Sequence, residues 1–258
     1  MPERSRNAAD YQHVPRPLAA MAKDYPHGTE VPAHSHPRAQ LLYAVQGVMR
    51  VHTPGRVWTI PPQRALWVPP GVEHRLTMMN TVALRTVYIA PEAATLPGPD
   101  CRVLGVSALL RELILSLLAE PVEYPIPGRG EHMAALILAE IARAPSVPIA
   151  IPWPRDRRLL AVCQAIMDQP GSQHGIEDWA ASAGASSRTL IRLFPKETGL
   201  HYRQWLQQVH LADALCRLDQ GEPIARIAAA LGYASPSAFS AMFRKALGVA
   251  PTQYLAGR

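Results

Sequence analysis

Cysteine is scarce in this sequence of 258 residues, and the three present, Cys101, Cys163 and Cys216, show no metal-binding or redox spacing. Three cysteines cannot all pair, which excludes a disulfide framework. Cys163 and Cys216 fall within helical patterns among Leu, Val and Ala, and read as buried free thiols suited to a reducing compartment. Long apolar runs are also missing. The longest, around Met133–Ala139, is far shorter than the roughly 20 residues that span a bilayer. The opening MPERSRNAAD has no apolar stretch of the signal-peptide kind, so the expectation is a cytoplasmic protein with no membrane partner. Aromatic residues make up only 6%, so the cores must be mainly aliphatic. Acidic residues are in deficit, 20 against 26 Lys and Arg, for a net charge of +6. That surplus suits a polyanionic partner without requiring one. It is concentrated late in the chain: residues 155–258 hold 12 Lys and Arg against 8 Asp and Glu, and the rest holds 14 against 12.

What is present has a clear order along the chain. Residues 1–27 carry no period and read as a loose lead-in. From Val31 to Ala90 short strands alternate with turns: Gln40–Val45, Val48–Thr53, Val57–Ile60, Ala65–Val68, Arg75–Met79 and Ala83–Ile89. Pro54-Gly55, Pro61-Pro62 and Pro69-Pro70-Gly71 punctuate them, as expected of an antiparallel barrel or sandwich. Helical spacing begins at Ser107–Ala119 and returns at Met133–Ala142. Four prolines in Ala144–Pro154 exclude helix there and mark an expected linker. Beyond Arg155 everything reads as helix. The expected fold is therefore α+β and multidomain. It comprises a β-domain at 1–98, a helical region with linker at 99–154, and an all-α domain at 155–258.

The most specific signal is an internal repeat. Trp179–Gly184 aligns with Ile227–Gly232 at an offset of 48, and after one inserted residue the offset becomes 49. Ser186 then matches Ser235, Leu190 matches Phe239, Phe194 matches Phe243, Gly199 matches Gly248, and Trp205 matches Tyr254. Each copy has the logic of a helix-turn-helix, at about 174–195 and 223–245. A small alanine, Ala180 or Ala228, lets two helices cross closely. A glycine, Gly184 or Gly232, ends the first helix in the left-handed conformation. A serine, Ser186 or Ser235, caps the second through its hydroxyl. Leu190 with Phe194, and Phe239 with Phe243, anchor that second helix and leave its other face free for a major groove. A single copy could be a helical hairpin used for protein packing; two copies joined by a long helix, Tyr202 to about Leu218, are far more specific.

These residues resemble the DNA-binding domain of the AraC/XylS family of bacterial regulators, which implies double-stranded promoter DNA as partner. The resemblance covers Ile176–Gly199 and Pro223–Tyr254, including Leu231-Gly232-Tyr233, Phe243-Arg244-Lys245 and Pro251-Thr252-Gln253-Tyr254. One departure is Pro195, expected to end the first recognition helix early and so to remove Lys196 from the DNA face. The candidate DNA contacts are Ser187, Arg188, Thr189, Ile191 and Arg192 in the first copy. Those of the second are Ser235, Ser237, Ser240, Ala241 and Arg244. Arg188 and Arg192 lie one turn apart and can bond a guanine edge or hold a phosphate. The second helix is poor in long donors, which points to phosphate contacts and modest base readout.

A second resemblance covers roughly residues 28–90. Gly28, His34, His36, Gln40 and Gly47 follow the first motif of the cupin barrels, and Pro69–His74 follows the core of the second. The departures are Gln40 for the usual glutamate, Gln63 for a glycine, and a missing closing asparagine. The resemblance implies that His34, His36 and His74 converge, with Gln40 beside them. They could hold a divalent transition metal, line an effector pocket without metal, or serve packing alone. No cofactor is required by the sequence.

The reading that follows is a transcription regulator that is not an enzyme and that responds to an unknown small effector. The helices at 107–119 and 131–143 would form a homodimer surface, although Leu113 and Leu117 fit core packing equally well. RNA polymerase is a further partner that the family resemblance suggests. A metal-dependent cupin enzyme is the main rival, and a structural DNA-packaging protein the lesser one. Against the enzyme stands the fused reader, and against the packaging protein stands the barrel.

Overall fold

A computed structural model describes residues 5–93, 98–147 and 149–256. The chain divides into two compact units: Met1–Pro54 with Trp58–Pro148, and Gly55–Val57 with Ile149–Arg258.

The first unit begins with a short 3-10 turn at Ala8–Tyr11. The strands β1 (Leu18–Tyr25), β2 (Glu30–His34), β3 (Ala39–Gln46), β4 (Met49–Thr53) and β5 (Arg56–Ile60) follow. Then come β6 (Arg64–Val68), β7 (His74–Met78), β8 (Val82–Ile89) and β9 (Arg102–Gly105). Two helices, α1 (Ala108–Ala119) and α2 (Arg129–Arg143), precede the short β10 (Ser146–Val147), and the next strand, β11 (Ala150–Pro152), belongs to the second unit. One sheet runs β1-β8-β3-β6-β9-β10, the other contains β5-β4-β7-β2, with antiparallel pairing throughout the registered pairs. The expected barrel thus has the two-sheet, jelly-roll-like form rather than a single closed ring of strands. β7 shows why one sheet face is enough: His74, Leu76 and Met78 are buried while Arg75 faces water, the period-two pattern of a half-solvated strand. The central β3 is buried at Ala39–Ala44 because it lies between β6 and β8 and carries side chains packed on both faces.

One expectation fails in this unit. The stretch 1–27 is not a loose lead-in, since β1 pairs with the whole of β8, from Leu18 opposite Ile89 to Tyr25 opposite Val82. Its first four residues, Leu18–Met21, are all buried, so no alternation announces it. The segment 144–154, where a linker is expected, contains the division between the two units at Pro148 and Ile149. The strands within it, β10 and β11, are only two and three residues long.

α1 and α2 settle what Leu113 and Leu117 do. Both are buried with Leu110, Ile114, Met133, Ala134, Ile137 and Ile141 against Leu41, Tyr43, Trp67 and Val87 of the first sheet. Leu109 and Leu136 are left outside, about half exposed.

The second unit holds α3 (Arg157–Asp168), α4 (Ile176–Ser182), α5 (Ser187–Thr198), α6 (Tyr202–Asp219), α7 (Ile224–Ala230), α8 (Pro236–Leu247) and α9 (Pro251–Ala256). Trp205 is fully buried among Leu159, Val162, Cys163, Ile166, Leu190 and Phe194, and its indole N–H donates to the Pro152 carbonyl at 2.8 Å. Val57 and Ile151 belong to the same cluster, and the Trp153 N–H donates to the Gly55 carbonyl. The central α6 touches α5, α7 and α8, so one helix carries both helix pairs. No disulfide joins the cysteines among the described residues; Cys163 is buried, but Cys216 is only half-buried because Leu215 and Leu218 take the inward face of α6.

Candidate DNA interface and sensor site

The two helix pairs are built on the same hydrogen bonds. Ala185 N–H donates to the Ala180 carbonyl at 2.9 Å, and Tyr233 N–H donates to the Ala228 carbonyl at 2.9 Å. Gly184 N–H reaches Ala181, and Gly232 N–H reaches Ala229. Both glycines have positive φ, +60° and +75°. This is the left-handed helix end that a side chain with a Cβ resists. The caps repeat as well: Ser186 Oγ accepts from Thr189 N–H at 3.2 Å, and Ser235 Oγ from Ala238 N–H at 3.1 Å. The second helices close alike, Gly199 N–H to Pro195 and Gly248 N–H to Arg244. Ala180 and Ala228 are buried, and so are the anchors Leu190, Phe194, Phe239 and Phe243.

On α5 the outward face carries Arg188, Ile191 and Arg192, all exposed, while Ser187 is half-buried. Thr189 is also half-buried, and its hydroxyl is hydrogen-bonded to Ser186 Oγ at 2.9 Å. On α8 Ser237, Ala241 and Arg244 are exposed and Ser240 is half-buried. Ser235 spends its oxygen on the cap.

Pro195 does not end α5, which continues to Thr198. The proline has no N–H for the Ile191 carbonyl, so the helix forgoes one bond. Leu193, Phe194 and Thr198 remain buried on one side across it, and the Thr198 hydroxyl donates to the Phe194 carbonyl at 2.6 Å. Lys196 therefore stays in a helical turn and is exposed.

In the first unit the sheet pairing brings the histidines together. His34 at the end of β2 lies opposite His74 at the start of β7. The Gly71 N–H donates to the His36 carbonyl at 2.8 Å, which ties the Pro69-Pro70-Gly71 turn to the first motif. Ring centroids stand 4.4 Å apart for His34 and His74, 4.8 Å for His34 and His36, and 5.5 Å for His36 and His74. One ligand atom from each can be chosen so that all lie within 4.8 Å of one another. His34 Nδ1 stands 2.7 Å from the Pro32 carbonyl, and His74 Nδ1 stands 2.9 Å from the Val72 carbonyl. A carbonyl can only accept, so each Nδ1 carries a proton and Nε2 is the ring nitrogen left to hold a cation. Burial, together with the neighbouring imidazoles, pushes His36 down to about 4. Burial, opposed by the Val72 hydrogen bond, takes His74 to about 4 as well, so both rings are neutral at pH 7. His36 Nε2 and His74 Nε2 are buried without a hydrogen-bond partner. Lone pairs left in that state favour a cation or a donor among them. The donor set fits a divalent transition metal, with backbone carbonyls fixing two of the rings from behind.

Gln40 lies on β3 between Val68 and Tyr88. Its amide N–H groups donate to Thr86 Oγ1 at 3.1 Å and Tyr88 Oη at 3.2 Å, and its Oε1 is buried with no partner. A cavity of about 680 Å³ reaches His34 and Gln40, a volume typical of small-molecule sites. Its walls are Met21, Leu42, Leu76, Leu84, Lys23, Tyr25 and Tyr88, with Ser5–Ala8 at one side. His74 lines a smaller hollow of about 300 Å³ with His52, Glu73 and Arg75 instead. The three imidazoles meet one another, then, but do not all open into the large cavity. Met21, Lys23 and Tyr25 were hidden by the reading of 1–27 as a lead-in. Their spacing of two along β1 was the signal that could have found them.

The comparisons with known proteins agree in both units. Residues 20–125 match the AraC-like ligand binding domain, and residues 179–257 match a helix-turn-helix domain. The HTH-type transcriptional regulator NimR of Escherichia coli is 33% identical over 225 residues, covering 87% of this chain and 82% of that protein. The regulator RipA of Corynebacterium glutamicum is 31% identical over 107 residues, 42% of this chain and 32% of that one. Among solved structures, ToxT from Vibrio cholerae aligns over 94% of this chain and 99% of its own, with 12% identity and a TM-score of 0.39.

Proposed function

Because this chain belongs to the AraC family of DNA-binding transcriptional regulators, with a ligand-binding domain and a helix-turn-helix domain, we propose how its two units divide the work. A small effector enters the cavity of the first unit, and its binding biases how α5 and α8 lie on promoter DNA. The observation that carries this reading is the duplicated helix pair. It holds two second helices by the same bonds and leaves Arg188 and Arg192 exposed on one of them. Arg188 and Arg192 read base edges in a major groove, with Ser187 and Thr189 near the phosphates at the start of α5. Ser235, Ser237, Ser240, Ala241 and Arg244 place α8 on the backbone, where short hydroxyls and one arginine suffice. A promoter-bound regulator acts on RNA polymerase, by recruitment or by exclusion. Leu109 on α1 and Leu136 on α2 form the contact of a homodimer, the two large apolar side chains those helices expose among the described residues. Selection from random duplex DNA tests the DNA reading: one enriched site, bound with a steep salt dependence, is the expected result. Equal binding to all sequences would reject it.

His34, His36 and His74 would hold a divalent transition metal, with the unpartnered Gln40 Oε1 the remaining oxygen donor of the motif. When bound, such an ion supplies a Lewis-acid position for a lone-pair donor on the effector. The chain's own part is to orient the His34 and His74 rings through the carbonyls of Pro32 and Val72, and to keep His36 and His74 neutral by burial. Elemental analysis of protein purified without added metal, followed by cobalt titration watched by visible absorption, tests this. Stoichiometric metal lost in His74→Ala supports the site. A clean protein that leaves the cobalt spectrum unchanged returns the histidines to an effector pocket. The same triad keeps a cupin metalloenzyme as a second reading, which oxygen-uptake assays with the metal-loaded protein would reveal.

A further inference from the structure

We infer that Ile191 reads the 5-methyl group of a thymine, an inference that rests on α5 being the recognition helix. Ile191 is 52% exposed, whereas Leu190, Leu193 and Phe194, the other large apolar side chains of α5, are at most 5% exposed. Nothing in the core holds it. A single apolar residue on a surface is ordinary; this one is placed between two cations. Arg188 precedes it by three positions and Arg192 follows it, so all three fall within an arc of about 100° on the exposed side of α5. Among the described residues neither arginine is ion-paired, which leaves that face cationic and complementary to a phosphate-lined groove. An isoleucine can neither bond a phosphate nor donate to a base edge. In the major groove the distinctive apolar partner is the thymine methyl. Flanking arginines fix the register by their hydrogen bonds, and the branched side chain then covers the methyl and excludes water from it.

The second copy supports the assignment by contrast. At the offset of 49 the equivalent of Ile191 is Ser240, and the equivalents of the two arginines are Ser237 and Ala241. Methyl recognition at this helix position therefore belongs to α5, and only the part of each protomer's site that α5 covers should carry the thymine read there.

The experiment uses the full chain and an operator obtained by selection from random duplex DNA. Each thymine is replaced in turn by uracil, which removes the methyl and changes nothing else. One replacement should weaken wild-type binding about fourfold, the equivalent of one buried methyl group. The same replacement should have no effect on Ile191→Ala, and a reduced one on Ile191→Val. Thermal unfolding should be unchanged in both variants, since the side chain is exposed. If Ile191→Ala keeps every uracil penalty of the wild type, the inference fails while the DNA reading stands, and the exposed isoleucine is then a protein-contact residue. If selection enriches no sequence at all, the DNA reading fails and takes this inference with it.

Discussion

The pair α4–α5 and the pair α7–α8 share a scaffold and differ on their surfaces. The turn bonds, the backbone N–H bonds to the capping serines and the closing bonds of one recur in the other at an offset of 48 or 49. The exposed positions of the second helices agree at none of the three central places: Arg188, Ile191 and Arg192 stand against Ser237, Ser240 and Ala241. Positions that hold the backbone have kept their chemistry, and positions that face outward have not. Two sites with one scaffold and different surfaces are two readers of unequal power. The first is equipped for base edges and the second for the backbone.

The surroundings of the turn break the symmetry too, and the largest expected effect lies there. A Cβ at Gly184 would meet open space, whereas one at Gly232 would come within 2.6 Å of the Gln173 amide nitrogen. Both glycines need positive φ, so valine at either is strained by about 1–3 kcal/mol. Gly232→Val should cost more than Gly184→Val, because Gln173 must also move. Urea unfolding of the second unit measures the difference, and operator binding should fall in parallel. The first unit should still fold. Equal losses would mean that Gln173 yields freely and that the turns are equivalent after all.

The next effect is on binding rather than folding. Arg188→Ala should weaken operator binding by about 1–3 kcal/mol and relax preference at one base pair. Ser237→Ala, its counterpart in α8, should leave the base preference unchanged. Binding competition against an operator with every base varied measures both. A relaxed position in Ser237→Ala and none in Arg188→Ala would invert the assignment of the stronger reader.

Much of this asymmetry was legible in the sequence, because helix-turn-helix logic depends on local residues: Gly184, Ser186 and their copies announce the turn by themselves. The histidines were legible through motif spacing, and His34 and His36 do lie beside His74. What stayed hidden depends on neighbours distant in sequence. The strand β1 is buried over Leu18–Met21 and so shows no alternation, and its cavity residues Lys23 and Tyr25 gain meaning only when paired with β8. Pro195 misled for the same reason. A local rule ends the helix there, and the packing of Phe194 and Thr198 carries it on.

The smallest effect tests the claim that the scaffolds are equal. Ser186→Ala and Ser235→Ala each remove a hydroxyl that accepts one backbone N–H, and each should cost about 1 kcal/mol of stability. One difference separates them: Ser186 Oγ also bonds the Thr189 hydroxyl at 2.9 Å, and the second copy has Ala238 in that place. Because Thr189 is half-buried, its hydroxyl keeps access to water after the change, so the extra loss should be only a few tenths of a kcal/mol. Urea unfolding of both single variants, with Thr189→Val and the Ser186→Ala/Thr189→Val double variant, isolates the pair. A coupling near zero leaves two equal caps beneath two unequal readers. A coupling above about 1 kcal/mol would mean that the Ser186–Thr189 pair stiffens the start of α5, and that the difference between the readers extends from the surface into the scaffold itself.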